Sequence, residues 1–279
     1  MANDPGILGE EAQRHYRDGI ELSRLQRGSG SLEFARTREL LTRHLPQPPA
    51  VVLDIGGGPG AYACWLAELG YTVHLIDPVP LHVEQASEAS RQLARPVASV
   101  AVGDARDLPY GDSSADAVLL LGPLYHLVER DDRLKALREA FRVLRPNGQV
   151  FAVGISRFAS TLDGLKSGYV DDPEFVRIYE QDLLNGQHRN PTNHPHYFTT
   201  AFFHHPAELK EELVASGFAH HGTFGIEGPA WMLQDFSERW DSPRRERLLA
   251  IARALEQEPT LLGVSAHLLA VGAKRPITS

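Results

Sequence analysis

Apolar runs and polar turns alternate regularly through the middle of the chain. Runs of four to eight apolar residues bounded by turn residues are typical of buried parallel strands. Between them, apolar residues recur at helical spacing, most clearly over residues 131–145, which we expect to be capped by Asp131. The pattern predicts a parallel sheet covered by helices on both faces. The strand-like runs include residues 51–55, 71–76, 98–102 and 149–155.

This alternation stops after Ile155, and the C-terminal half is more irregular. We expect a first insertion at 157–205, holding two helical pieces, and a second at 227–262. Between and after them, the pattern predicts a helix and two further strands. Those three elements are the helix 206–216 and the strands 218–226 and 264–273.

The N-terminal part is polar and is predicted to be helical. Gly28 and Gly30 indicate a hinge after the first helix. Residues 31–45 have the pattern of a capped amphipathic helix, which Pro46 ends.

Composition narrows the class of protein. A chain of 279 residues with a single cysteine, Cys64, cannot form an intramolecular disulfide, and it has no set of cysteines to bind zinc. The net charge of -8, without a long run of lysine and arginine, argues against nucleic acid as a partner. No apolar run approaches the ~20 residues that a membrane helix needs. The sequence therefore predicts a cytoplasmic protein that acts on a small molecule, without a membrane partner.

A glycine-rich turn after the first strand is the most informative motif. Residues 53–60 read Leu-Asp-Ile-Gly-Gly-Gly-Pro-Gly and precede an apolar helical run. Glycines let the backbone approach a ligand, and a helix N-terminus attracts negative charge. The spacing of Gly56, Gly58 and Ala61 also fits a dinucleotide site. However, Asp54 would repel a pyrophosphate and can hold an ammonium group, which favours a ligand that carries an amino acid.

Two further acids follow predicted strands. Asp77 ends the second strand, where a ribose diol would lie, and Asp104 follows the third. The carboxyl ends of parallel strands meet at one edge of a sheet, so Asp54, Asp77 and Asp104 are expected to share one rim. The alternative for each acid is a helix cap or a solvated turn residue.

Together these motifs resemble those of the class I S-adenosylmethionine-dependent methyltransferases. The resemblance rests on residues 53–60, on Asp77, on the segment 103–105 and on 116–126, and it covers roughly residues 31–157. It implies an α/β, Rossmann-like seven-stranded sheet with helices on both faces, an antiparallel C-terminal edge strand and helical cap insertions. It also implies methyl transfer from S-adenosylmethionine to a small-molecule acceptor.

The resemblance divides the chain, a single methyltransferase domain over residues 1–279, into four parts. An N-terminal helical segment covers the cofactor, a core binds it, an insertion caps the acceptor, and the last part completes the core around a helical insertion. These parts are residues 1–47, 48–156, 157–205 and 206–279, with the helical insertion at 227–262.

Cofactor contacts are carried over by position. Asp54 would lie near the methionine amino group, Asp77 would accept from both ribose hydroxyls, and Asp104 would accept from the adenine amino group. Arg36 would reach the methionine carboxylate if the N-terminal helix folds over the cofactor, and a solvated arginine is the alternative. The other expected cofactor-binding residues are Gly56, Gly57, Gly58, Pro78, Ala105 and Leu121.

A base is needed only for acceptors that must lose a proton to become nucleophilic. His126, at the end of the fourth strand, is the leading candidate, and Tyr125 would orient the acceptor or close over the cofactor. In the histidine-rich insertion, His188, Tyr197 and His204 are further candidates for acid–base catalysis or substrate positioning. The alternative is that these side chains cap turns or pack in the core. His194 and His196 lack the spacing of a recognised metal motif, so no metal is predicted.

Several alternatives stay open at this stage. A nicotinamide-dependent oxidoreductase shares the glycine turn, and a non-catalytic cofactor-binding protein shares the fold. A homodimer is compatible with the sequence, and the methylated atom can be oxygen, nitrogen, sulfur or carbon. An aromatic acceptor is suggested by Tyr169, Phe202, Phe203, Trp231 and Trp240, for which core packing is the alternative.

Overall fold

Five parallel strands form the centre of the computed structural model, which describes residues 21–275. Their order across the sheet is β3 (Ser99–Val102), β2 (Thr72–Asp77), β1 (Val51–Ile55), β4 (Ala115–Leu120) and β5 (Leu144–Ser156). The strands β9 (His267–Ala273) and β8 (Ala219–Gly225) follow at the other edge, where β9 is antiparallel to both β5 and β8. These seven strands are the sheet that the sequence predicted.

Two short strands extend this sheet beyond the prediction. Strand β7 (Ala201–His204) pairs in parallel with Ile155 and Ser156 at the carboxyl end of β5, and β6 (Gln187–His188) pairs antiparallel with β7. The segment Ala201–His204 is buried along its whole length. The sheet therefore has nine strands, and the first insertion returns to its carboxyl edge.

Alternating side chains of the central strands pack against helices on the two faces of the sheet. Leu53 and Ile55 of β1 belong to one apolar cluster together with Leu137, whereas Val52 belongs to another with Leu66. Successive residues of a strand point to opposite faces, so both faces are covered. The helices in and around this core are Gly30–His44, Ala61–Glu68, Pro80–Arg91, Pro123–His126, Arg130–Val143 and Pro206–Ala215.

The helix boundaries lie within one or two residues of the predicted ones. Gly70 has φ 96°, a left-handed conformation that suits glycine, and it follows the helix Ala61–Glu68 as expected. Asp131 does not cap the next long helix, because Glu129 occupies the N-cap position and makes no side-chain cap hydrogen bond. The predicted cap of the helix Gly30–His44 is also absent, since Ser29 at its N-cap makes no such bond.

The insertions add helices beyond the carboxyl edge of the sheet. The first contains helices Ala159–Ser167 and Pro173–Asn185, joined by the 3-10 turn Tyr169–Asp171. The second contains the 3-10 turn Gly228–Met232 and the helices Phe236–Trp240 and Arg245–Leu255. Before Gly28, the short helix Glu21–Arg24 is all that the structure describes of the first predicted helix. Among residues 21–275, no helix combines the length and apolar character that crossing a membrane requires.

Candidate active site

The glycine turn between β1 and the helix Ala61–Glu68 has no room for side chains at Gly56 and Gly57. Gly56 and Gly58 have φ 68° and 56°, values that glycine adopts without strain. A Cβ atom at Gly56 would lie 2.7 Å from Cγ of Pro123, and one at Gly57 would lie 2.8 Å from Oδ2 of Asp54. The turn therefore presents bare backbone to the space in front of it.

Two cavities meet at this turn. The first, which we call the rim cavity, is about 650 Å³ and lies between the turn, Asp77, Asp104 and the segment after β4. The second, the turn cavity, is about 1150 Å³ and lies between Asp54, the turn, and the N-terminal helices. Gly56, Gly58, Gly122 and Tyr125 are among the residues that line both. The three predicted acids thus face one connected crevice.

Asp54 is a buried carboxylate that has no counterion among residues 21–275. Its exposed fraction is 1%, and neither of its oxygens makes a hydrogen bond of good geometry to a residue in the described part of the chain. Burial, with the nearby charge of Asp77, raises the pKa of Asp54 to about 7, although the backbone amide of Ala63 opposes this shift. A ligand cation in the turn cavity would relieve this unfavourable environment.

Asp77 is organised by the protein itself. Its Oδ2 accepts from the amide of Gly58 over 2.9 Å, and its Oδ1 accepts from the amide of Val79 over 2.9 Å. Nδ1 of His82 lies 3.0 Å from the same Oδ1. These contacts fix the carboxylate beneath the rim cavity, where a lone pair of Oδ2 remains for a hydroxyl donor.

Asp104 also lines the rim cavity, but it is paired. Both its oxygens accept from the guanidinium of Arg106, at distances from 2.7 to 3.1 Å. Arg106 also contacts Asp132 over 2.9 Å. Asp104 is therefore an oriented acceptor rather than a free charge. Of the other residues predicted to bind the cofactor, Ala105 and Pro78 line the same cavity, and Leu121 and Gly57 line the turn cavity.

The predicted role of Arg36 is wrong. Its side chain is completely buried, contacts Glu39 and Glu256, and donates from Nε to the carbonyl oxygen of Ile226 over 3.4 Å. Arg36 lines neither cavity, because it lies on the face of its helix that packs against the C-terminal part of the chain. The arginine in the turn cavity is Arg24, which the sequence analysis did not single out.

A third cavity lies under the first insertion, and we call it the cap cavity. It is about 870 Å³ and is bounded by β5, the helices of the insertion and the start of β9. Of the aromatic residues predicted to line the acceptor site, Phe203 and Trp231 do so. Tyr169, Phe202 and Trp240 do not, because they pack against Phe175, Arg133 and Phe236, respectively.

Tyr125 lies where the three cavities meet, since it lines all of them. Burial raises the pKa of its hydroxyl well above the ordinary value, so the ring is a neutral wall. His126 lines the rim cavity rather than the cap cavity, and its ring centroid is 4.7 Å from that of Tyr125. The predicted base is thus next to Tyr125 but on the side of Asp77 and Asp104.

His188 and Tyr197 line the cap cavity, but both are engaged by other groups. Nδ1 of His188 is 2.8 Å from Oδ2 of Asp182, and its Nε2 is 2.6 Å from the carbonyl oxygen of Tyr197. Both ring nitrogens of His188 are thus already engaged by oxygen atoms of the protein. The Tyr197 hydroxyl donates to Asp172 over 2.5 Å, and this carboxylate raises the pKa of Tyr197 to about 12. Neither residue is placed to act as a base.

His204 is also placed differently from the prediction. It is fully buried in β7, with Nε2 3.3 Å from Oε2 of Glu212, and it lines none of the three cavities. Burial lowers the pKa of His204, so the neutral ring is favoured in the core. Its contact with Glu212, which also binds Arg133, joins β7 to the helix Pro206–Ala215.

His267, which the sequence analysis did not single out, lies in the cap cavity. Its Nδ1 donates to Oε1 of Glu227 over 2.6 Å, and Oε2 of Glu33 lies 3.8 Å from the same nitrogen. Glu33 is in turn bound by Arg24. Despite burial, these two carboxylates raise the pKa of His267 to about 9. Ligand atoms of Glu33, Glu227 and His267 lie within 4.8 Å of one another, but they already form these ion pairs.

Sequence comparison agrees with this geometry. Residues 53–152 match the family model described as a methyltransferase domain. An uncharacterized methyltransferase of Mycobacterium tuberculosis is 34% identical over 113 residues, which are 40% of this chain and 43% of the relative. The methyltransferase GfsG of Streptomyces halstedii is 34% identical over 122 residues, 43% of this chain and 42% of the relative. The matches thus span less than half the length of these curated relatives.

Solved structures extend the similarity in fold to most of the chain. A methyltransferase of Methanosarcina mazei, described as S-adenosylmethionine-dependent, aligns with a TM-score of 0.59 at 19% identity, over 85% of this chain and 97% of the other. The [4+2]-cyclase SpnF aligns with a TM-score of 0.55 at 19% identity, over 86% and 81%. The matched segment contains Asp54, Asp77, Asp104 and the glycine turn. Residues 53–152 therefore match a methyltransferase domain, and most of the chain shares the fold of solved S-adenosylmethionine-dependent methyltransferases.

Proposed function

We propose that this protein transfers a methyl group from S-adenosylmethionine to a small organic molecule held in the cap cavity. The unpartnered carboxylate of Asp54 is the observation that carries the proposal. A buried acid beside a bare glycine turn suits a ligand whose ammonium group enters the turn cavity, and it does not suit a pyrophosphate. This favours an amino-acid-bearing nucleoside over the nicotinamide alternative.

The residues present fit such a cofactor. Asp54 would bind its ammonium group, Asp77 its ribose hydroxyls, and Asp104 with Ala105 the edge of its adenine. When bound, S-adenosylmethionine supplies an electrophilic methyl group on a positively charged sulfur. The family match covers each of these positions, and the contacts themselves are part of the proposal.

The chain then has two tasks, namely alignment and exclusion of water. Tyr125 borders all three cavities and would separate the cofactor from bulk solvent while leaving the acceptor in line. Alignment of two reactants supplies much of the rate in a displacement of this kind. For an acceptor that must release a proton, His126 beside Tyr125 stays the candidate base, because the raised pKa of His267 keeps that ring protonated near neutral pH.

A small acceptor is favoured over nucleic acid by charge and by shape. The cap cavity is a concave pocket between the insertions, and the chain carries a net charge of -8. One relative, a probable tRNA methyltransferase 9B of Mus musculus, is 30% identical over 122 residues, but the match covers only 24% of that protein. The cap cavity also favours an enzyme over a protein that only binds the cofactor.

Binding and turnover test the proposal separately. Calorimetry should show that the protein binds S-adenosylmethionine and S-adenosylhomocysteine, with no response to NAD, and that Asp77→Ala abolishes this binding. Radiolabelled methyl transfer should then be measured with a panel of amines, phenols and alcohols, because a cyclase shares the fold and binding alone does not establish transfer. Heat on titration with NAD and none with the methyl donor would refute the proposal.

A further inference from the structure

We propose that the acceptor is a cationic amine with an apolar, ring-sized body, and that Asp163 binds its ammonium group in the cap cavity. This inference rests on the proposed function, because it names the class of molecule that the cavity holds. It follows from the rings that form the cavity walls and from the pairing of the charges around them.

Aromatic rings supply much of the cavity wall. The ring faces and edges are apolar surfaces that suit a hydrophobic body, and an aromatic face also attracts a cation within about 6 Å of its centroid. Several of these rings pack against each other, so the wall is preformed; the centroids of Phe175 and Tyr197, for example, are 4.8 Å apart. The lining aromatic side chains are Tyr125, Phe175, Tyr197, Phe198, Phe203 and Trp231.

Most charged groups at the cavity already have partners. Arg24 binds Glu21 and Glu33, with Nε 2.8 Å from Glu21. His267 is bound by Glu227 over 2.6 Å, and the ring of His188 is bound by Asp182 over 2.8 Å. These pairs orient the walls, and each of these three basic side chains, among the lining residues that the structure describes, already has an acidic partner.

Asp163 is the exception. It lies on the helix Ala159–Ser167 and lines the cavity. Its Oδ1 accepts a long hydrogen bond from the Ser167 hydroxyl, over 3.4 Å. It has no ion pair among the residues that the structure describes. The nearby ammonium of Lys166 instead donates to the carbonyl oxygen of Trp231 over 2.8 Å. Ser160, one turn earlier on the same face, already donates to Asp182.

The environment of Asp163 is unfavourable for an unpaired charge. Burial raises the pKa of this carboxyl despite the nearby charge of Lys166. A bound ammonium would form an ion pair with the carboxylate and so replace the water contacts that burial removes. The aromatic rings of the cavity would contact the rest of the ammonium group. A neutral acceptor of the same shape would leave the carboxylate unpaired, so the cavity discriminates by charge.

Matched probes test this inference. We would titrate 2-phenylethylamine and 2-phenylethanol, which have nearly the same shape, into protein saturated with S-adenosylhomocysteine near neutral pH. The wild-type protein should bind the amine about ten-fold more tightly than the alcohol. Asp163→Asn should remove this preference, and Asp163→Glu, which keeps the charge, should retain part of it. Asp171→Asn is the control, because Asp171 is exposed and does not line the cavity.

Equal affinity for the two probes, binding of neither, or an unchanged preference in Asp163→Asn would overturn the inference. Thermal unfolding of each variant shows whether it is folded. Failure of S-adenosylhomocysteine to bind would instead contradict the proposed function. If neutral acceptors are methylated and the amine preference is absent, the proposed function stands and the amine assignment fails.

Discussion

Nδ1 of His267 donates to Oε1 of Glu227 over 2.6 Å, which joins the first residue of β9 to the segment that follows β8. The second oxygen of Glu227 accepts from the His267 amide over 3.0 Å and from the Ser265 hydroxyl over 2.7 Å. Because Glu33 of the N-terminal helix also faces His267, three distant segments meet at the cap cavity through one imidazole.

The stability of the protein should depend on the protonation of His267. A pKa raised from 6.5 to about 9 means that the folded state holds a proton that the unfolded chain releases. The stabilisation is complete below pH 6.5 and is lost as the pH rises through about 9. Relative to His267→Gln, the wild type should lose on the order of 2 kcal/mol of unfolding free energy across this window, measured by urea unfolding.

His221→Gln is the control for this measurement, because His221 is exposed. Titration of the ring by NMR gives a second measurement that does not depend on unfolding. A ring that loses its proton near the ordinary value of 6.5 would contradict the prediction.

Asp54→Asn should weaken cofactor binding and stabilise the unliganded protein. The pKa of Asp54 is raised to about 7 from 3.8, so the folded state becomes less stable as the pH rises through this interval and remains so above it. Removing the charge should therefore raise the unfolding free energy at alkaline pH by about 1 to 3 kcal/mol. Affinity for S-adenosylmethionine should fall by about ten-fold or more, because the ammonium loses its counterion.

The matched control is Asp112→Asn, since Asp112 is exposed and lies away from the cavities. Binding near neutral pH should also release protons from the wild type, because a bound ammonium lowers the pKa of Asp54. Calorimetry in buffers of different ionisation enthalpy measures this release. Unchanged affinity in Asp54→Asn would remove the main support for the proposed function.

Gly56→Ala should damage the turn far more than a glycine substitution elsewhere. The added Cβ would lie 2.7 Å from Cγ of Pro123, and φ is 68° at this position. We expect a loss of roughly 1 to 3 kcal/mol in unfolding free energy together with loss of cofactor binding. In Gly111→Ala the new methyl meets no atom within 4 Å, so this variant should behave like the wild type. If thermal unfolding and calorimetry gave the same stability and the same cofactor affinity for both variants, the turn would not be sterically constrained.

Arg36→Met should affect folding rather than binding. Its guanidinium is fully buried beside Glu39 and Glu256, and removing one partner of a buried ion pair typically costs about 3 to 5 kcal/mol. The folded fraction should still bind S-adenosylmethionine with wild-type affinity. Arg24→Met should show the reverse, a modest change in stability and weaker binding, because Arg24 is partly exposed in the turn cavity. A specific loss of affinity in folded Arg36→Met would restore the original assignment.

Local sequence patterns predicted the parts of the fold that depend on short-range order. The strand-end positions of Asp54, Asp77 and Asp104 follow from the order of the strands, and the structure places all three along one crevice. Arg36 was misassigned, although its position carried a signal. It lies four residues from both Leu32 and Leu40, so it shares their buried helix face.

Other errors have a topological cause. Because β9 is antiparallel to β5, its first residue lies at the carboxyl edge where the parallel strands end, and His267 pairs in register with Ile155. His267 is therefore missed when site residues are sought only at the C-terminal ends of strands. His188 and His204 belong to β6 and β7, whose pairing with each other and with β5 depends on contacts distant in sequence. Local periodicity does not contain that information.

The burial of Arg36 has a consequence for how ligands enter. The helix Gly30–His44 forms one wall of the turn cavity, and Glu256, which binds both Arg36 and Arg43, fixes this helix to the second insertion. The helix Glu21–Arg24 joins that wall through Gly28, and its Arg24 contacts Glu33 over 3.0 Å. For a bound nucleoside to leave on this side, the segment 21–27 would have to part from Glu33 and from the apolar cluster that Leu25 packs against. Exchange of product for fresh cofactor would therefore not require the rest of the cover to unfold.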